Sequence, residues 1–105
     1  MTPAARLQAA AEILEEVIAS ARDDGPPADS IVTRYFKTRR YAGSKDRRAV
    51  RELVFRAIRR SGERPESGRS AILGLAADEP ELEGLFGEAR GPEIRGDAEQ
   101  GRVGR

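Results

Sequence analysis

The stretch GSKDRRAVRELVFRAIRR, residues 43–60, contains the helix from which the fold can be inferred. Its apolar residues recur at intervals of three and four, so on a helix they fall within about 100° of arc. Such a helix buries one face and exposes the basic residues between the apolar positions. The apolar stripe consists of Val50, Leu53, Val54 and Ala57, with Ile58 at its edge.

The residues around this helix predict its ends. Ser44 is a good N-cap, because its hydroxyl can accept a hydrogen bond from a free N–H group of the first turn. Asp46 lies where the helix dipole favours an acid, and Arg59 and Arg60 lie where it favours bases. Gly62 is expected to end the helix.

Two helices are predicted before this one. The first has an apolar stripe from Leu7 to Ala21, with Thr2 as its cap and Pro3 at its first position. The second is expected over residues 28–39.

Two more helices are predicted after it, over residues 69–77 and in a short segment that begins near Pro80. The residues of the short segment expected to face inward are Leu82, Leu85 and Phe86. Because no segment alternates convincingly between apolar and polar residues, we predict an all-α bundle of about five helices over residues 1–86. Residues 87–105 contain five glycines and no apolar period, which is typical of a linker or flexible tail.

The composition excludes several kinds of site. The chain has no cysteine and no histidine, so it can form neither a disulfide, nor a zinc site of nitrogen and sulfur ligands, nor a Ser–His or Cys–His nucleophile pair. The longest apolar run, residues 71–77, is far short of the roughly 20 residues that span a bilayer. We therefore expect a soluble, cytoplasmic protein with no membrane association, no metal and no catalytic residue in this chain.

Positive charge is concentrated in one third of the chain. Residues 34–60 contain eleven arginines and lysines but only two acids, Asp46 and Glu52, although the whole chain has a formal charge of +1. A basic surface of this kind attracts polyanions, and nucleic acid is the usual one. The alternative is a solvated helix face supported by the i, i+4 pairs Arg48–Glu52 and Glu52–Arg56, but two acids cannot neutralise eleven bases.

Phe55 lies roughly 130° from the centre of the apolar stripe, between arginines. A phenylalanine in this position can stack on a splayed RNA base. It can also anchor the helix against a second helix layer or another domain, which is the commoner role and the one we favour.

The same region resembles a known family. The run from Asp46 to Phe55, DRRAVRELVF, followed by Ile58, Arg59 and Arg60, resembles the central helix of NusB-like domains. Those domains carry a D-R-x-x-x-x-E-L-V-aromatic segment followed by leucine or isoleucine and arginine.

The resemblance extends over most of the chain. AARLQAA, residues 4–10, and LEEV, residues 14–17, look like the first helix of a NusB-like domain. RYAGSKDR, residues 40–47, is similar to the R-[FY]-A-G-S-x-D-R pattern of the bacterial RsmB (Sun/Fmu) rRNA methyltransferases. Residues 3–86 as a whole look like the N-terminal domain of that family.

The resemblance implies an all-α domain that associates with RNA. In the RsmB family this domain precedes a Rossmann-type domain, which uses S-adenosylmethionine to methylate the 5-position of a cytosine in small-subunit rRNA. Because that reaction needs a cysteine thiolate, which this chain lacks, we expect the chain alone to bind no cofactor and to have no methyltransferase activity. The catalytic methyltransferase domain is then absent, and the chain is a domain fragment, a truncated product or a stand-alone relative.

The leading hypothesis is an RNA-binding accessory domain of such an rRNA methyltransferase, whose partners are small-subunit rRNA and a catalytic domain in cis or another protein. One alternative is a stand-alone antitermination-type factor, and another is a structural module whose basic face docks onto a catalytic domain. Phe55 is expected to pack against or beside the partner. The bases expected to contact phosphate are Arg39, Arg40, Lys45, Arg47, Arg48, Arg51 and Arg59.

Overall fold

The computed structural model describes residues 1–62 and 65–93. Within these ranges the chain forms five α-helices and no strand, which confirms the predicted all-α class. None of these helices is both long and apolar enough to cross a membrane. The helices are α1 (Pro3–Arg22), α2 (Ala28–Lys37), α3 (Ser44–Ser61), α4 (Gly68–Asp78) and α5 (Pro80–Glu83).

Helix α1 is the centre of the bundle, because it packs against α2, α3 and α4. Its predicted start is confirmed: the hydroxyl of Thr2 accepts a hydrogen bond from the Ala5 N–H at 3.0 Å, and Pro3 is the first helical residue. The core is a single cluster shared by all five helices, and no polar or charged residue of the described chain is buried. Its least exposed large side chains include Leu7, Ile13, Leu14, Ile31, Val50, Val54 and Ile72.

Helix α3 begins one residue away from the predicted cap. Gly43 occupies the N-cap position, so the expectation for Ser44 is wrong, and Ser44 is the first helical residue. The physical reason is Asp46, whose carboxylate reaches back and accepts a hydrogen bond from the Gly43 N–H at 3.3 Å. The predicted end is confirmed, since Gly62 has a φ of +61° that side chains rarely adopt.

The ends of the other helices depart modestly from the prediction. Helix α2 stops at Lys37, two residues earlier than expected, with Thr38 as its C-cap. Helix α5 is a single turn, in which Leu82 is buried. Leu85 and Phe86 lie beyond it in turns and are partly buried against the core.

The segment after α5 folds back onto the bundle as far as Glu93. The Gly87 N–H donates to the Pro92 carbonyl at 2.6 Å, and Pro92 is fully buried. Gly91 approaches α1 so closely that a β-carbon there would lie 2.7 Å from that of Ala4. The first seven residues of the predicted tail therefore lie against the bundle, whereas residues 94–105 are outside the described residues.

Candidate nucleic-acid interface

A groove of about 480 Å³ opens between α2 and α3. Its floor is apolar, because Val32 and Phe36 on α2 point into the core and are almost completely buried. Four basic side chains surround this floor, one from α2 and three from α3. They are Lys37, Arg47, Arg48 and Arg51.

The α2 wall of the groove is held in place by contacts between α2 and α1. The hydroxyl of Tyr35 donates a hydrogen bond to the carboxylate of Glu12 on α1. Burial, and then this hydrogen bond, raise the pKa of the Tyr35 hydroxyl above its ordinary value of 10.0. The Tyr35 and Phe36 rings pack edge to face with centroids 5.1 Å apart, which fixes Phe36 beneath the groove.

The α3 wall of the groove depends on Asp46, whose carboxylate joins the first turn of α3 to α1. It accepts hydrogen bonds from Nε and Nη2 of Arg6, at 3.0 and 2.8 Å. These contacts with Arg6, followed by the hydrogen bond from the Gly43 N–H, hold the pKa of Asp46 below its ordinary value of 3.8. Asp46 is thus a structural residue, and the next two residues, Arg47 and Arg48, face the groove.

The four basic side chains of the groove differ in whether a carboxylate or a carbonyl group contacts them. Within the described part of the chain, no carboxylate lies at ion-pair distance from Lys37 or Arg48, and both side chains are exposed. Arg47 donates a hydrogen bond to the Ala42 carbonyl at 3.4 Å. Arg51 forms an ion pair with Asp29 in the first turn of α2. One acid therefore opposes four bases at this position.

Much of the remaining basic charge is neutralised by acids that are distant in sequence. Glu79 binds Arg56 at 2.9 Å, Asp78 binds Arg60 at 2.6 Å, and Glu16 binds Arg34 at 3.2 Å. The i, i+4 pairs expected for Glu52 do not form; this residue lies 3.9 Å from Arg59 instead. A count of charges within α3 therefore overestimates its unpaired positive charge, because the acids that neutralise it are distant in sequence.

Three of the seven bases predicted to contact phosphate, Arg47, Arg48 and Arg51, come together in the groove. Arg39 lies against the Tyr35 ring, with its guanidinium carbon 3.7 Å from the ring centroid, and donates to the Tyr35 carbonyl at 2.9 Å. The other three do not line the groove: Arg40 is exposed after α2, Lys45 is exposed in the first turn of α3, and Arg59 is exposed near the end of α3.

Lys37 belongs to the groove but was not among the predicted site residues. The sequence does carry a signal for it, since Lys37 follows the buried Phe36 and lies one helical turn after Thr33, which also lines the groove. Periodicity on α2 would have placed it on the face that adjoins α3.

Phe55 is partly buried and lies outside the core cluster. It follows Arg51 by one helical turn, on the part of α3 that extends past the groove. Ile58, one turn further along, is 37% exposed, although the sequence placed it at the edge of the buried stripe. This face of α3 is thus basic where it borders the groove and partly apolar beyond it.

Other grooves of the described surface differ from this one in charge. Two other grooves border α1, and both mix acidic and basic side chains: Glu12 and Arg90 line each of them. In residues 1–62 and 65–93 no group of three or more acidic, histidine or cysteine side chains could hold a metal ion. Comparisons with protein-family models, with curated proteins and with solved structures find no match to this chain.

Proposed function

We propose that this chain is an RNA-binding domain and that the groove between α2 and α3 is its phosphate-binding site. The observation that carries the proposal is the meeting of Lys37, Arg47, Arg48 and Arg51 around one groove, with Asp29 as the single acid paired there. Phosphate contacts of this kind supply most of the sequence-independent affinity for nucleic acid.

The biological context comes from the resemblance to NusB-like domains. We propose that the domain is an accessory to a small-subunit rRNA cytosine-5 methyltransferase and brings the catalytic domain to its RNA. S-adenosylmethionine and the cysteine nucleophile would belong to that catalytic domain, because this chain has no cysteine.

A docking role is the second candidate, and the exposure of Ile58 beside the partly buried Phe55 favours it. Apolar side chains left partly uncovered next to a charged face are common at protein interfaces. The partner would be a catalytic domain in cis, or a separate protein if the chain acts alone as an antitermination-type factor.

The experiment that tests RNA binding is a salt titration. The chain is titrated against a small-subunit rRNA fragment, and an unrelated RNA of equal length serves as the comparison. If three or four phosphates are bound, affinity should fall about 20- to 150-fold between 50 and 200 mM salt. Binding absent even at 50 mM salt would reject the proposal and favour the docking role.

The variant Arg48→Gln links any binding to the groove. It should weaken binding to both RNAs alike and make the salt dependence less steep by slightly less than one unit of the log–log slope. Arg90→Gln is the matched control, because it removes the same charge from an exposed residue outside this groove. Equal effects of the two variants would mean that net charge, not this groove, governs binding.

A further inference from the structure

Asp29 is the acid that pairs with a base of the proposed phosphate site. It lies in the first turn of α2, and its carboxylate accepts a hydrogen bond from the Arg51 guanidinium on α3. We propose that Asp29 is an internal counter-ion that occupies Arg51 and must be displaced before this arginine can bind a phosphate. The inference rests on the proposed function, because it concerns how the same groove is regulated.

The ion pair is built in a way that allows exchange. The Arg51 and Asp29 side chains are 43% and 66% exposed, so both remain hydrated and their mutual attraction is weak. After release, the Asp29 carboxylate is still stabilised by the free N–H groups of the first turn of α2. A phosphodiester offers the guanidinium two oxygens in the geometry that a carboxylate offers, so it can replace Asp29 without a new binding mode.

The neighbouring bases supply the driving force for the exchange. Lys37 and Arg48 have no carboxylate partner in the described part of the chain, so they attract a polyanion before Arg51 is released. A ligand that contacts only these two bases leaves the Asp29–Arg51 pair intact. A ligand that fills the groove must also displace Asp29.

This arrangement makes Asp29 a residue that sets the affinity of the groove. It lowers the affinity only for ligands that reach Arg51, because a ligand that contacts Lys37 and Arg48 alone leaves the ion pair intact. An RNA that fills the groove therefore binds less tightly than its phosphate contacts alone would allow.

The test is the variant Asp29→Asn, measured by RNA binding at 50 mM salt. Removal of the counter-ion should tighten binding about two- to fivefold, because an exposed ion pair contributes up to about fivefold in an equilibrium constant. Asp78→Asn is the matched control: it makes the same change in charge at a residue that pairs with Arg60 instead. Equal gains from the two variants would overturn the proposal, since they would show an effect of net charge alone.

A double variant tests whether the tighter RNA binding of Asp29→Asn depends on Arg51. In an Arg51→Gln background, Asp29→Asn should change affinity less than twofold, because no guanidinium remains to be released. A gain that persists at full size in this background would overturn the proposal. Thermal melting of each variant confirms that the compared proteins are folded.

The outcome also separates this inference from the proposed function. If the unmodified chain binds RNA but Asp29→Asn changes nothing, the counter-ion proposal is overturned and RNA binding stands. If neither protein binds RNA at 50 mM salt, both proposals are overturned together.

Discussion

Gly68, the first residue of α4, lies directly against the backbone of Glu15 on α1. A β-carbon on Gly68 would be 2.8 Å from the Glu15 amide nitrogen and closer still to the Ala11 carbonyl oxygen. The Gly68 N–H also donates a hydrogen bond to the Glu15 carboxylate. This contact fixes the distance between the two helices and, with it, the position of α4 on the central helix.

Gly68→Ala should therefore destabilise the protein by about 2–3 kcal/mol, because two backbone segments must separate to admit one methyl group. Urea unfolding measures the loss. Gly84→Ala is the control, since Gly84 has a φ of −67° and no atom within 4 Å of the added carbon. That variant should be neutral or slightly more stable. Similar losses from both changes would contradict the close contact.

Asp46 makes stability depend on pH in the acid range. Arg6 lowers the pKa of Asp46 in the folded state, so the ionised carboxylate stabilises the folded protein fully above pH 3.8, the ordinary pKa of the group. This stabilisation is lost as the pH falls through the lower pKa of the folded state. Asp46→Asn should melt at a lower temperature than the unmodified protein at pH 7, and this difference should shrink below pH 3.8. A difference that stays constant from pH 7 to pH 2 would remove Asp46 as the titrating group.

The two phenylalanines next to the groove should contribute unequally to stability. Phe36 is 5% exposed within the core, so Phe36→Ala should cost about 3–5 kcal/mol. Phe55 lies outside the core cluster, so Phe55→Ala should cost about 1 kcal/mol. Chemical denaturation of both variants provides the comparison. A loss for Phe55 as large as that for Phe36 would mean that Phe55 belongs to the core of this chain and is not available to a partner.

Lys37 and Arg40 distinguish the groove from the basic segment as a whole. Both are exposed, but only Lys37 lines the groove. Lys37→Gln should weaken RNA binding about three- to tenfold at low salt, as expected for the loss of one phosphate contact, and Arg40→Gln should weaken it less than twofold. Filter binding or fluorescence anisotropy at 50 mM salt measures both. The reverse order would move the RNA site away from α2 and toward the connection before α3.

The helices of this protein could be predicted from the sequence because their apolar positions follow one period. The stripe of Val50, Leu53, Val54 and Ala57 is buried as expected, and the described part of the chain forms five helices. The cap of α3 was misplaced by one residue, because the prediction weighed the Ser44 hydroxyl and did not consider that Asp46 reaches back to Gly43.

The site was harder to predict than the fold, because its charges are balanced by residues distant in sequence. Glu79 lies 23 positions from Arg56, and Asp29 lies 22 positions from Arg51. Local spacing within α3 could not reveal these pairs. The close approach of Gly91 to α1 was also missed, since it depends on turns and on the buried Pro92, not on an apolar period.

The central position of α1 matters during synthesis, because the helices that cover it are made later. Helix α1 is synthesised before the others, but its hydrogen bond with the start of α4 joins residues 53 positions apart. At roughly 5–20 residues per second, the ribosome needs about 3–10 seconds to extend the chain over that distance. Throughout this interval the Leu7 and Leu14 side of α1 lacks part of its final cover, so nascent-chain chaperones are expected to bind the first helix in preference to the later ones.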